Sequence, residues 1–191
     1  MKIMRRMLLL AGLSLSAPLL AVPTPVTPFD IPLAGTTAAA EPDLAGTVIS
    51  DKLIPFTIAS AAAPVSGTLQ VRVVKGAAGK LAFYWKINNS ASSKGAVDTM
   101  SLPGFPKQPF DSNWRKDGLG TVAPSSVEGA VSIIDAKTWT VGFRFKVPVK
   151  PGESSRFFFL RGSATASVPA VARVTGTGGA SGELAVSGPA G

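Results

Sequence analysis

Between residues 66 and 89, apolar and polar positions alternate with a period of two along both halves of SGTLQVRVVKGAAGKLAFYWKINN. Leu69, Val71 and Val73 share one face of the first half, with Gln70 and Arg72 on the other. In the second half Leu81, Phe83, Trp85 and Ile87 share a face opposite Ala82, Tyr84 and Lys86. Successive side chains of an extended strand point to opposite faces, so the pattern predicts two half-buried strands. The short segment between them begins and ends with Gly76 and Gly79, which predicts a tight antiparallel turn.

A second unit, EGAVSIIDAKTWTVGFRFKVPV, places Trp139, Val141, Phe143, Phe145 and Val147 on one face. Thr138, Thr140, Gly142, Arg144 and Lys146 take the other, and residues 135–137 are expected to turn the chain back onto residues 131–134. Trp85 and Trp139 lie in phase with aliphatic neighbours and are expected in the core. Shorter strands are expected at residues 46–50 and 53–58, where Pro55 lacks a backbone donor and points to a sheet edge or a bend. Two more flank the glycine-rich turn at residues 176–182, whose TGTGGASG lacks the lysine and following helix of a phosphate loop. The count reaches about eight to ten strands with no amphipathic helix, and each alternating strand must bury one face. The chain is therefore expected to be all-β, a two-sheet antiparallel β-sandwich spanning residues 46–191.

The segment PGESSRFFFLRG breaks the alternation. After a turn at Pro151 and Gly152, Phe157 and Phe159 face one way while Phe158 and Leu160 face the other. A strand apolar on both sides needs a cover on both, from a central position or from a loop or partner.

Ahead of the strands, Lys2, Arg5 and Arg6 precede the apolar run MLLLAGLSLSAPLLA. A positive start, a short apolar stretch broken by Pro18 and small residues at its end predict a signal peptide over residues 1–21. The run is too short for a membrane span, so a secreted or periplasmic protein without stable membrane insertion is expected. Cleavage is expected after Ala21, with Ala40 as a second candidate. Residues 22–45, VPTPVTPFDIPLAGTTAAAEPDLA, are rich in Pro, Ala and Thr. Closely spaced prolines favour extended chain and predict a flexible leader.

Composition narrows the chemistry. The chain has no histidine and no cysteine, which excludes a Ser-His-Asp triad, thiol nucleophiles, disulfides and cysteine-ligated zinc. No cofactor is implied. The formal charge is +8, and removing the three basic residues of the first 21 leaves 16 basic against 11 acidic residues, or +5. These cations are scattered on outward strand positions, without the clustered basic stripe expected of a nucleic-acid binder.

The longest stretch without strand patterning is residues 103–126, PGFPKQPFDSNWRKDGLGTVAPSS. Long loops concentrate function, and this one gathers Asp111, Asn113, Trp114, Arg115 and Asp117. Trp114 beside amide, guanidinium and carboxylate groups suits a sugar ring, whose apolar face stacks while its hydroxyls find partners; alternatively, Trp114 plugs the open end of the sandwich. Asp111, Asn113 and Asp117 match part of a calcium loop, without its third close acid or terminal glutamate; such side chains also serve as turn acceptors. Asp111 and Asp117 as acid and base of a carboxylate-dependent glycosidase would require environments that push their pKa values apart.

In order along the chain, LIPFTI, SGTLQVRVV, LAFYWKI, NWRKDGLG and PGESSRFFFL resemble a group of uncharacterised secreted bacterial proteins. Members of that group often carry a PEP-CTERM tail handled by exosortases. The resemblance spans residues 46–162 and implies secretion without assigning an activity or any site residue. This chain ends in ELAVSGPAG, without the Pro-Glu-Pro motif, apolar span or basic tail, which implies release rather than sorting.

Together these features lead to a non-enzymatic, secreted binding module associated with a surface or matrix. Its expected partner is a glycan or another secreted protein, met through Trp114, Arg115, Asn113, Asp111 and Asp117. The alternative is a structural subunit that assembles through edge strands.

Overall fold

The computed structural model describes residues 24–131 and 137–191, whose regular structure is β-strand apart from one short 3₁₀ turn. The strands are β1 (Ile31–Pro32), β2 (Thr47–Ile58), β3 (Val65–Lys75), β4 (Leu81–Asn89), β5 (Val97–Pro106) and β6 (Asp111–Trp114). They continue with β7 (Ser126–Val131), β8 (Thr138–Val149), β9 (Phe158–Arg161), β10 (Ser167–Gly176) and β11 (Ser181–Pro189). One sheet runs β1-β7-β8-β5-β10-β11 and the other β2-β3-β4-β9-β6, with neighbouring strands antiparallel. The two sheets pack face to face as the expected all-β sandwich.

Period-two burial accounts for the core. Leu69, Val71, Val73, Leu81, Phe83, Trp85 and Ile87 all point between the sheets and are buried. Trp85 meets Phe143 and Phe105 of the opposite sheet at 6.4 and 6.3 Å between ring centres, and Phe158 of its own sheet at 6.2 Å. Such tilted aromatic contacts add to the area term that dominates this core.

Several local expectations change. Residues 46–50 and 53–58 are not separate strands; β2 runs through both, with a register shift between Val48 and Ser50 and Pro55 on the edge strand. On β8 the expected face holds for Val141, Phe143 and Phe145 but fails at Val147, which is 62% exposed. The reason is a register shift: the five steps from Arg144 to Val149 are matched by two from Thr99 to Val97 on β5, and Val149 becomes the buried residue. Trp139 packs against the core but is only half-buried, beside Gly129, where a Cβ would lie 2.3 Å from its ring. The expected turn at residues 135–137 lies mostly outside the described residues.

The largest difference concerns the Pro-rich segment. From Thr24 to Ala45 it is docked along the sandwich rather than free. Thr24 and Val26 bond to the free side of β6 through Ser112 N–H to Thr24 O (2.8 Å) and Val26 N–H to Phe110 O (3.1 Å). The chain then pairs through β1 with the outer edge of β7, burying Val26 and Leu33, while Phe29 stays 75% exposed. A short 3₁₀ turn, Pro42–Ala45, finally carries Leu44 onto the outer face of the five-stranded sheet. Prolines prevent this segment from forming a ladder of its own, but they do not prevent docking on edges that supply the missing partners.

That docking also covers the second face of β9. Phe158 and Leu160 point into the inter-sheet core, while Phe157 and Phe159 join Leu44, Val74, Ala82 and Tyr84 in a separate outer cluster. Each such side chain removed from water stabilises the fold by about 1.5–3 kcal/mol before conformational entropy is counted.

Candidate functional site

β6 brings Asp111, Asn113 and Trp114 to the sheet edge where the leader docks. Asp111 sits opposite Arg161 in the β6–β9 register, and its Oδ1 accepts the N–H of Thr24 at 2.7 Å. Arg161 Nη2 donates both to Asp111 Oδ2 and to Glu41 Oε2. Asn113 is buried, and its Oδ1 accepts the N–H of Gly35 at 2.8 Å and of Trp114 at 3.0 Å. Asp117 Oδ2 accepts the N–H of Ala38 at 2.8 Å.

The calcium-like spacing thus has a different use. Asp111, Asn113 and Asp117 each accept a backbone N–H from a separate point of the leader, at Thr24, Gly35 and Ala38. Among the described residues no group of three or more His, Cys, Asp or Glu side chains is placed to hold a metal ion.

Trp114 is half-buried and packs against the main core. Its Nε1–H donates to Leu33 O at 3.4 Å, and Gly35 lies flat against the indole. A Cβ at Gly35 would fall 2.5 Å from Trp114 Cε2, and Gly35 has φ of +74°, so both packing and backbone call for glycine. Arg156 is also stacked on the ring, with its guanidinium carbon 5.6 Å from the ring centre. Trp114 therefore clamps the leader and does not present an open platform.

Beside this clamp, the outer face of the five-stranded sheet holds a cleft of about 380 Å³. Its floor is the outer cluster of Leu44, Val74, Tyr84 and Phe157. One wall is Gln70 and Arg72 of β3, the other Arg115, Asp117 and Gly118, and Val48 and Leu119 are exposed at the rim. Two of the five sequence candidates, Arg115 and Asp117, line the cleft; Asp111, Asn113 and Trp114 do not.

Both walls are built of paired charges. Arg72 donates to Asp51 Oδ2 through Nη2 at 2.6 Å and Nε at 3.0 Å, while Gln70 Nε2 donates to Asp51 Oδ1 at 2.8 Å. Arg115 donates to Asp117 through Nε at 2.6 Å and Nη2 at 3.0 Å, and its Nη1 donates to Leu44 O at 2.9 Å. The Arg115 hydrogen bonds hold the Asp117 carboxyl below the usual range despite some burial, and Asp117 in turn raises the Arg115 pKa. Burial pushes the Tyr84 hydroxyl up to about 12 against the opposing influence of Arg115, so the floor is neutral at ordinary pH. Burial likewise raises the Asp111 pKa, with Arg161 pulling the other way.

The two candidate acid–base carboxylates do have pKa values displaced in opposite directions. Only Asp117 borders the cleft, however, while Asp111 lies under the leader with both oxygens engaged. The two-carboxylate geometry of glycoside hydrolysis puts both carboxyls beside one scissile bond, and Asp111 and Asp117 are not placed that way.

Sequence reasoning missed Gln70, Arg72, Tyr84 and Phe157 as cleft residues. The available signal was the second face of β4 and β9: Ala82 and Tyr84 are apolar where a solvated face would be polar, and Phe157 and Phe159 match them. No protein-family model, curated protein or solved structure matches this chain, so nothing beyond its own geometry assigns the cleft a ligand.

Proposed function

We propose that the protein is a secreted or periplasmic, non-enzymatic binding module, associated with a surface or matrix, that receives a carbohydrate in the outer cleft. The observation that carries this reading is the cleft itself: an apolar, aromatic floor between two walls of paired donors and acceptors. A sugar has apolar C–H faces and hydroxyls that both donate and accept. Walls in which each arginine already has its carboxylate match hydroxyl pairs better than an isolated charge. The signal-like residues 1–21 and the resemblance to secreted bacterial proteins support the location. A single bordering carboxylate, without histidine or cysteine, supports binding rather than turnover.

The test is calorimetric titration of neutral and acidic oligosaccharides into wild type and Gln70→Ala. A saturable heat with at least one sugar, weakened about tenfold in the variant, is expected; tenfold corresponds to about 1.4 kcal/mol, the scale of one lost hydrogen bond. Equal binding by both proteins, or none by either, contradicts the proposal.

Assembly through an edge strand is the second reading, and β2 is the edge that favours it, with Val48, Ile49 and Leu53 exposed. The register shift near Ile49 and the proline at position 55 both interrupt that edge, devices that discourage edge-to-edge pairing. Concentration-dependent sedimentation that Leu53→Lys abolishes would favour assembly over a monomeric binding module.

A further inference from the structure

Two cations next to the cleft, Lys86 and Lys116, have no carboxylate partner among the described residues. Lys86, on the outer face of β4, places Nζ 5.8 Å from the centre of the Phe157 ring, on which Arg72 also stacks at 4.7 Å. Behind the second wall, Arg156 lies on the Trp114 ring and donates through Nη1 to the carbonyls of Lys116 at 2.8 Å and Gly118 at 3.2 Å. It thereby braces the loop that forms the second wall, and Lys116 projects from that loop exposed. The ion pairs among the described residues engage Arg72, Arg115, Arg144, Arg161 and Arg173, and none includes Lys86, Lys116 or Arg156. A neutral cleft is thus flanked on both sides by uncompensated positive charge.

We infer that the ligand of this cleft is an acidic polysaccharide, its hydroxyls meeting Gln70, Arg72, Arg115 and Asp117 while its carboxylate or sulfate groups meet Lys86 and Lys116. The inference rests on the reading of the cleft as a carbohydrate site. A chain with anionic groups repeated on successive sugars engages both flanks at once, whereas a short neutral sugar engages neither. Single-stranded nucleic acid fits poorly, because it needs a series of aromatic faces for successive bases, and the aromatic side chains lining the cleft are two buried ones, Tyr84 and Phe157. An anionic bilayer also fits poorly, because a flat surface meets exposed side chains, and of the two lysines only Lys116 is exposed while Lys86 is half-buried.

The test is affinity electrophoresis of the purified protein through gels containing alginate, neutral dextran, dextran sulfate or single-stranded DNA, with flotation on phosphatidylglycerol vesicles in parallel. Wild type, Lys86→Gln/Lys116→Gln and Gln70→Ala are compared, each with its thermal unfolding midpoint as a control for folding. The expected result is retardation by alginate and not by dextran, reduced at least fivefold in both variants. It should also weaken at about 0.5 M salt, where the screening length is roughly 4 Å. Neutral sugars bound equally by wild type and the lysine variant, but lost in Gln70→Ala, would overturn the acidic class and leave the carbohydrate cleft standing. Equal retardation by alginate, dextran sulfate and DNA, unaffected by Gln70→Ala, would overturn both in favour of unspecific attraction. Vesicle binding without alginate binding would overturn both in favour of a lipid surface.

Discussion

Arg161 and Asp111 face each other in register across the β9–β6 pair, and the same guanidinium nitrogen that reaches Asp111 also reaches Glu41 of the docked leader. One half-buried cation therefore ties a sheet edge to the segment that crosses it. All three side chains are largely removed from water, with 22%, 13% and 8% exposure for Arg161, Asp111 and Glu41.

Arg161→Ala leaves the buried Glu41 and the half-buried Asp111 without their cation. Removing one partner of a buried ion pair costs about 3–5 kcal/mol, and that loss is expected in urea unfolding of this variant. A change below about 1 kcal/mol would mean that the leader is not held through this contact.

Leader removal is expected to be similarly costly. A chain beginning at Glu41 lacks Val26 and Leu33, each contributing about 1.5–3 kcal/mol by burial. It also lacks the N–H groups that satisfy Asp111, Asn113 and Asp117. The prediction is that the mature protein starts after Ala21 and that the shorter form unfolds at lower temperature, with red-shifted tryptophan fluorescence as Trp114 is uncovered. Mass spectrometry of the N-terminus of the protein as its cells produce it, and melting of both forms, check this.

Gly35 and Trp114 should behave as a coupled pair. Gly35→Ala forces a side chain into the indole and places alanine at a positive φ, a change expected to cost about 1–3 kcal/mol. In the double variant with Trp114→Ala the clash disappears, so the two losses should sum to more than the combined one. Strict additivity in a double-mutant cycle would contradict the clamp.

The two loop aspartates should titrate in opposite directions from their ordinary value of 3.8. Asp117, held low by Arg115, stabilises the fold above that value and loses its contribution as pH falls through its lower folded pKa. Asp111, raised by burial, does the reverse: the folded state takes up its proton more readily, so its contribution falls as pH rises through the raised value. Carboxyl carbon chemical shifts followed between about pH 2 and 7 measure both, and an Asp117 titrating above Asp111 would contradict the structure.

Much of this architecture was legible in the sequence, because period-two alternation reports directly on which strand face is buried. The β3–β4 hairpin, the β7–β8 pair and the two-faced β9 all follow from it. Val147 was misplaced because a register shift changes phase without a mark in composition. The leader was misread because its prolines describe local preference only, while its partners lie more than 70 residues away at Asn113 and Asp117. Asp111, Asn113 and Asp117 drew attention as oxygen ligands at a calcium-like spacing. What they accept is backbone N–H rather than calcium, and spacing alone does not separate those uses.

The central claim is that ligand meets the outer cleft. The most direct measurement follows backbone amide shifts of isotope-labelled protein during titration with alginate oligosaccharides. Saturable perturbations confined to Gln70, Arg72, Lys86 and the Arg115 to Leu119 loop are predicted. Perturbations on β10 and β11 instead, or none that saturate, would contradict it.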